Sequence, residues 1–492
     1  VNRGFDLPGI ARKALIERGF VPDFPRPVLR EVERLQRGAP LLPRDVAGLA
    51  DLRDVPWCSI DNDESLDLDQ LTAATPLPGD GALIMVAVAD VDSRVVRGSA
   101  LDRRAASSTT SIYTPAGVFP MIPEALSHGL TSLNQDQDRL AVVVEMEVDG
   151  GGVLGPSTIG RALVRNTAKL TYDGVAAWLG GEAPPPPLAG RPDLRENLLL
   201  QDRMATKLRS RRHHLGALAL ETPEARPVFR EGVLADLVLH RPNRATQLIE
   251  DFMIAANRSV ALFLEGAGYP SLRRVLPPPE RWPQLVLLAA GEGSHLPSEP
   301  DPVALQSFLL GMRRARPETF PDLSLAVVKL MGRGRYAVDV PGRRSPPGHF
   351  GLAVADYTHS TAPNRRYPDL ITQRILKAAL ERKPSPYPVP ELEGLAARCT
   401  AREDEAAKVE RRVLKSAAAL LLLPRVGQVF QAIVTGAAAK GTWARLDAPP
   451  VEGRVVSGEG ALAVGQRISV RLEGVDPRRG FIDLAAVGSP TP

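Results

Sequence analysis

Two short apolar repeats open the chain. Leu7, Ile10, Ala11 and Leu15 recur at helical spacing, and Val28, Val32 and Leu35 do so again. Pro22, Pro25 and Pro27 separate the two runs, because proline lacks the amide hydrogen that a helix interior needs. A basic helical pair over residues 1–50 reads either as a helix-turn-helix-like nucleic-acid binder or as a plain helical cap on the next domain. From about 51 to 165 the pattern is mainly strand, with Ala82 to Val91 and Leu140 to Val148 as buried examples. Ala183 to Leu188, APPPPL, reads as a stiff exposed loop outside the core. Arg203 to Leu215 is a basic helix with Lys207, Arg209, Arg211 and Arg212, either a solvated face or an RNA contact. Asn243 to Leu264, 369–381 and 391–423 read as further helices, the last rich in Ala and Leu.

At Pro424 the pattern changes. Val429, Ile433 and Val434, then Gly441-Thr442-Trp443, Val451 to Val456, Ile468 to Leu472 and Phe481 to Leu484 form short apolar runs divided by glycines. Strands at this spacing predict a small β-barrel.

Length and composition narrow the class. A chain of 492 residues predicts two to four domains. With 44% hydrophobic and 24% charged residues it has the profile of a soluble globular protein. The net charge is only +4, while the sequence pI near 9.1 mildly favours a polyanionic partner. Cys58 and Cys399 stand alone without CxxC spacing, which argues against a disulfide framework or structural zinc and fits a reducing cytoplasm. The first residues lack a signal-peptide core, and no apolar run is long enough to span a membrane, Ala417 to Leu423 being far too short. The expectation is a cytoplasmic monomer with no obligatory protein partner and no membrane association.

The densest chemistry lies in Ser59-Ile60-Asp61-Asn62-Asp63-Glu64-Ser65-Leu66-Asp67-Leu68-Asp69-Gln70. Leu66 and Leu68 alternate with Asp67 and Asp69, which in an extended chain puts carboxylates on one face and leucines on the other. Asn62 to Ser65 is turn-like and brings Asp61 back beside them. Crowded carboxylates repel unless a cation neutralises them, and hard oxygen ligands suit magnesium or manganese. A solvated acidic loop is the competing reading. A calcium-binding EF-hand is excluded, since the required Gly and Glu positions hold Leu66 and Thr72. A second constellation is His359-Ser360-Thr361-Ala362-Pro363-Asn364-Arg365-Arg366-Tyr367-Pro368-Asp369, two arginines between prolines at a helix start. An arginine fork grips phosphate at two points, although surface salt bridges use the same residues.

Together these segments resemble the ribonuclease II/ribonuclease R family, whose catalytic module is called RNB. The acidic run is similar to the family's aspartate block, with Asp61, Asp67 and Asp69 on its first three aspartates. Further blocks resemble it in order: Ala89-Asp90-Val91, Gly98 to Arg103, Ser111 to Pro115, Pro120 to Ser127, Ser132-Leu133-Asn134, Ile249 to Met253 with Ala255-Ala256-Asn257, His349 to Ala353, and the arginine block. The resemblance runs from about Asp51 to Arg412, and the C-terminal barrel resembles an S1-type OB fold. The fold it implies is α+β: an RNB domain of mixed sheet surrounded by helices over 51–424, an N-terminal helical, helix-turn-helix-like domain over 1–50, an all-β S1 domain over 425–487 and a tail 488–492.

The resemblance also implies roles. Asp61, Asp67, Asp69 and Gln70 would hold magnesium, with manganese as its substitute. Asp67, Asp69 and Arg365 would carry catalysis, Arg365 by stabilising charge on the scissile phosphate. Tyr113, Phe229, Arg366 and Glu410 would contact RNA, Tyr113 by stacking near the 3′ end. The implied activity is hydrolytic 3′-to-5′ exoribonuclease action on RNA with a free 3′ end, releasing nucleoside 5′-monophosphates through two metals about 3.5–4 Å apart. The sequence departs from the family at Gln70, where a fourth aspartate is usual. About 50 residues precede the module where cold-shock domains are usual, implying a more open entrance and tolerance of structured RNA. The alternative is a catalytically weak or inactive RNA-binding protein on an RNB fold; Gln70 favours it, while Asp67, Asp69 and Arg365 oppose it.

Overall fold

A long run of β-branched and aliphatic residues, Gly81–Ala89, lies at the centre of the molecule and sets its architecture. The computed structural model describes residues 6–38, 48–222, 224–230, 233–438, 441–458 and 462–487. The expected tail 488–492 therefore lies outside the described residues. Among the described residues nine strands precede residue 172: β1 (Ala50–Asp51), β2 (Cys58–Asp61), β3 (Gln70–Leu77), β4 (Gly81–Ala89), β5 (Ile112–Thr114), β6 (Gly117–Phe119), β7 (Asp138–Val148), β8 (Leu154–Arg165) and β9 (Ala168–Thr171). Seven form one mixed sheet in the order β1-β8-β7-β4-β3-β2-β9, while β5 and β6 make a separate hairpin. The pairings β1/β8 and β2/β9 are parallel and the rest antiparallel. Continuous apolar sequence rather than alternation marks β4 because both of its faces are covered.

The covering helices include Pro192–His214 and Arg244–Gly266. The second starts at a capping box: Asn243 accepts from the Thr246 amide at 3.0 Å, and Thr246 Oγ1 accepts from the Asn243 amide. A satellite core forms from Trp282–Gly291, Pro302–Ala315 and Phe320–Met331. A hairpin, Glu224–Arg230 with Val233–His240, and a long-range antiparallel pair, Ser271–Val275 with Arg335–Asp339, complete the module. The helix Val389–Leu422 then leads to a closed five-stranded barrel of Val429–Ala438, Gly441–Leu446, Glu452–Ser457, Arg467–Asp476 and Phe481–Ala486. The Ala/Leu-rich end of that helix has two faces: Ala418, Ala419 and Leu422 join the barrel core, while Ala417 and Leu420 face the N-terminal helix. No helix among the described residues is long and apolar enough to cross a membrane.

The N-terminal helices dock on different cores. Leu7, Ala11, Ala14 and Leu15 of Leu7–Glu17 pack with Ile112, Val409 and Val413. Val28 and Val32 of Arg26–Arg37 belong to the main core instead. Arg402 stacks on Phe20 at 3.6 Å, and Arg18 pairs with Glu405 at 3.2 Å.

Three sequence expectations need correction. Ala183 to Pro187 are exposed or half-buried as expected, but Leu188, which ends the short 3-10 turn Pro186–Leu188, is fully buried in the core. The basic stretch Arg203 to Leu215 is a solvated face only in part: Arg203 and Arg211 are exposed, but other cations are engaged. It is the end of Pro192–His214, and its Arg209 and Arg212 both pair with buried Asp251. Third, the residues from Leu66 to Asp69 form no strand, and β3 begins only at Gln70. Leu68 is buried at 2% exposure but Leu66 is 54% exposed, so one leucine rather than two anchors the acidic run.

Candidate active site

The acidic run is held extended by one serine. Ser132 Oγ donates to the Leu66 carbonyl at 2.7 Å and accepts from the Leu68 amide at 3.0 Å. The Leu133 amide donates to the Leu68 carbonyl at 3.0 Å. These bonds replace the strand that the alternation predicted, and they still separate Asp67 and Asp69 from Leu68. The turn at Asn62 closes through the Ser65 amide on the Asn62 carbonyl at 3.1 Å.

Asp69 is the meeting point of both constellations. It is 1% exposed. Its Oδ1 accepts from the Asn364 amide at 2.9 Å and its Oδ2 from Arg365 Nε at 3.1 Å. Thus 295 positions of sequence separate a buried carboxylate from its backbone donor. The turn carrying Arg365 is fixed by three further groups. Thr131 Oγ1 donates to Asn364 Oδ1 at 2.6 Å, the Ala362 amide donates to Asp369 at 2.8 Å, and Asn257 Oδ1 accepts from both Ser360 N and Oγ at 2.8 Å. Arg366 donates to Asp369 at 2.7 Å, so its guanidinium is committed to the start of the helix Tyr367–Leu380.

The same turn holds the β5/β6 hairpin. The Ser111 amide donates to the Arg365 carbonyl at 2.9 Å, and the Tyr367 amide donates to the Thr109 carbonyl at 2.8 Å. Thr109 itself has φ +61°, a left-handed conformation costly for a β-branched residue. Tyr113, on β5, donates its hydroxyl to Asp67 Oδ2 at 3.1 Å and its amide to Glu410 Oε1 at 3.0 Å. Its ring remains substantially exposed. Phe229 is also exposed, at a bulge in the hairpin whose Arg226 donates to Asn62 Oδ1 at 3.0 Å.

Electrostatics at this junction favour added positive charge. Burial pushes the Asp69 carboxyl up to about 7, Arg365 opposing the rise and Asp67 adding to it. Burial likewise raises Asp61 to about 6. Asp61 Oδ2 and Gln70 Oε1 are both buried oxygens without a hydrogen-bond donor. Hard oxygens of this kind fit a divalent cation such as magnesium. No group of three or more His, Cys, Asp or Glu among the described residues closes on one point. The expected clustering of Asp61, Asp67 and Asp69 is therefore only partial, and the Arg365 guanidinium supplies the cation beside Asp69.

Of the residues picked from sequence, five fall into two bonded sets, Arg365 with Asp69 and Asp67 with Tyr113 and Glu410, brought side by side because only Leu68 separates the two aspartates. Arg366 turns to Asp369, and Phe229 makes no bond to these groups among the described residues. Sequence reasoning placed Asn257, Ser132 and Asn364 within family-like blocks but gave them no role, and it missed Thr131. A polar residue on the apolar, buried face of a helix, as Asn257 is, was the available signal.

Comparisons with known proteins bear on this geometry. The family model described as the RNB domain matches residues 49–382, and that of the RNase II-type exonuclease C-terminal S1 domain matches 428–487. Ribonuclease R of Thermotoga maritima is 32% identical over 468 residues, covering 92% of this chain and 64% of that protein. Ribonuclease R of Escherichia coli is 31% identical over 510 residues, covering 95% and 60%. The chain thus spans less than two thirds of the length of these relatives. The structure described as Mycoplasma genitalium RNase R in complex with ribose methylated single-stranded RNA superposes with a TM-score of 0.87 at 23% identity, covering 98% of this chain and 78% of that one. That likeness establishes the shared fold.

Proposed function

The chain belongs to the RNB family, and from that premise we propose that it is a hydrolytic 3′-to-5′ exoribonuclease that degrades RNA to nucleoside 5′-monophosphates. The observation that supports the reading is the pair of bonded sets Arg365–Asp69 and Asp67–Tyr113–Glu410, which puts a guanidinium, a buried and a half-buried carboxylate and an exposed aromatic near one another.

Each side chain has a task in this reading. Asp61, Asp67, Asp69 and Gln70 would hold magnesium, for which manganese could substitute. When bound, the metal polarises the phosphate and acidifies a water molecule. Arg365 neutralises charge that develops on the phosphate oxygens. Tyr113 offers a stacking face to a terminal base, a sequence-tolerant contact of about 1–3 kcal/mol. Glu410 positions the Tyr113 backbone. Phe229 provides a second aromatic from the hairpin, and Arg366, which orders the helix start behind Arg365, would contact RNA from there. The barrel adds a second RNA-binding surface. Cytoplasmic location and a monomeric state complete the proposal.

The test uses single-stranded RNA labelled at its 5′ end. Progressive shortening from the 3′ end with magnesium, none with chelator, and a loss of roughly 10²–10³-fold in Arg365→Ala are expected. Absence of metal-dependent shortening in the unaltered chain would refute the reading.

A further inference from the structure

The helix Leu7–Glu17 fills the junction between the two elements that carry Tyr113 and Glu410. Its Leu7, Ala11, Ala14 and Leu15 share one buried cluster with Ile112 of β5 and with Ala406, Val409 and Val413 of the helix Val389–Leu422. Ile112 precedes Tyr113, and successive strand side chains point to opposite faces. Burial of Ile112 therefore turns the Tyr113 ring outward, where it is 43% exposed. Val409 and Val413 recur at helical spacing beside Glu410 and hold that face of the long helix on the same cluster. Ala116 and Phe119, from the rest of the β5/β6 hairpin, pack on it as well. Across this junction the Tyr113 amide donates to Glu410 Oε1 at 3.0 Å.

Polar contacts fix the same segment along about 15 Å of the long helix. Arg402 stacks on Phe20 at 3.6 Å and donates to the carbonyls of Arg18 and Gly19 at 3.1 and 3.0 Å. Arg18 pairs with Glu405 at 3.2 Å, and Arg412 pairs with Glu17. The second N-terminal helix, Arg26–Arg37, holds the chain that leads into β5. Its Glu31 accepts from the Leu101 amide at 3.1 Å, an otherwise orphaned donor in the first turn of the helix Ala100–Ser108. Arg104 of that helix donates to the Val21 carbonyl at 2.8 Å. The N-terminal segment thus grips both the approach to Tyr113 and the hairpin that bears it.

We propose that the helix Leu7–Glu17 is a positioning element for the 3′-terminal contact. By filling the junction between β5 and Val389–Leu422 it sets the Tyr113 ring and backbone against Asp67 and Glu410. Leu15 and Glu17 are positioning residues that act through Tyr113 and touch no substrate. The consequence for RNA rests on the reading of Tyr113 given above; the bracing of the hairpin does not. Of the two sequence readings of residues 1–50, this one takes the helical cap and gives it a task.

Hydrogen exchange of the full chain, read by mass spectrometry, tests the bracing without RNA. Anisotropy of a labelled single-stranded oligoribonucleotide in chelator tests the consequence without hydrolysis. Leu15→Ala opens the junction at a 1%-exposed site. Leu309→Ala, fully buried in the satellite core, controls for general destabilisation. Should Leu15→Ala not fold, Glu17→Lys, which sets like charge against Arg412 at a partly exposed pair, is read the same way. Amides from Ser111 to Phe119 should exchange faster in Leu15→Ala and at the unaltered rate in Leu309→Ala. Leu15→Ala should also bind the RNA about fivefold more weakly or worse. Added to Tyr113→Ala, it should change affinity by less than about twofold. Unchanged exchange in the hairpin, or the same affinity loss with and without Tyr113, overturns the proposal. An unaltered chain that binds no RNA overturns the functional reading and, with it, the role assigned here; faster hairpin exchange in Leu15→Ala would mark that failure as one of function and not of bracing.

Discussion

Asn257→Ala should couple stability to catalysis through a residue that touches no substrate. Asn257 and Ser360 are both buried, at 2% and 7% exposure. Asn257 Oδ1 accepts two hydrogen bonds of 2.8 Å from Ser360, one from the amide and one from the hydroxyl. Its Nδ2 contacts Tyr357 and Thr361 at 3.4 and 3.5 Å, too long to contribute much. Alanine strands two donors in the interior. Each costs about 1–3 kcal/mol, and the hydroxyl recovers part of its share by rotating. The sum is about 2–4 kcal/mol of lost stability. Ser360 begins the turn whose Asn364 and Arg365 reach Asp69, so the turn also loosens. A misplacement of order 1 Å at a reacting group costs about 10²-fold in rate. Urea unfolding, read by the near-ultraviolet signal, measures the first effect, and single-turnover RNA cleavage the second. Arg365→Ala is the contrast: its side chain is half exposed, so it should lose activity with little loss of stability. An Asn257→Ala protein within about 0.5 kcal/mol of the unaltered chain, cleaving at the same rate, refutes the argument that this turn is held from the helix.

Three other outcomes follow from the same structure. Arg374→Met should destabilise by about 3–5 kcal/mol, measured by thermal unfolding, because a 3%-exposed guanidinium donates to Asp92 at 2.8 Å and to Asp102 and Tyr387 at 2.7 and 2.8 Å. Acidification should weaken the fold through His349, whose imidazole is pushed down to about 4 by burial and Arg274 and whose Nδ1 accepts from Leu352 at 3.2 Å. The unfolded chain then binds the proton more tightly, so this stability is complete above about pH 6.5 and is lost as pH falls toward 4, by at most about 3 kcal/mol; a His349→Gln protein whose unfolding midpoint keeps the same slope over that window would count against the assignment. In the barrel, Trp443 and exposed Phe481 line a cleft of about 200 Å³ with Lys415 and Arg454; Trp443→Ala should weaken single-stranded RNA binding by about 1–3 kcal/mol in fluorescence titration while a preformed 3′-terminal contact at Tyr113 persists.

Local pattern carried much of this protein. The strand Gly81–Ala89, the helix Arg244–Gly266 and the barrel strands were legible because an apolar period or run in sequence is also a buried face in space. The candidate residues Asp61, Asp67, Asp69, Arg365, Tyr113 and Glu410 were legible through motif order. Their mutual bonds were not, since no periodicity records which amide meets a carboxylate 295 positions away. The leucine alternation mispredicted a strand, because Ser132 and Leu133 supply the partners a sheet neighbour would have given, and so Leu66 is free to face solvent. Likewise a run of arginines looks the same in sequence whether it meets water or a buried Asp251. Sequence alone determined the periods, the breaks and the chemical types of the side chains. Tertiary structure decided which polar groups lose their water, and desolvation is what turns a charged residue into a committed partner or a raised carboxyl.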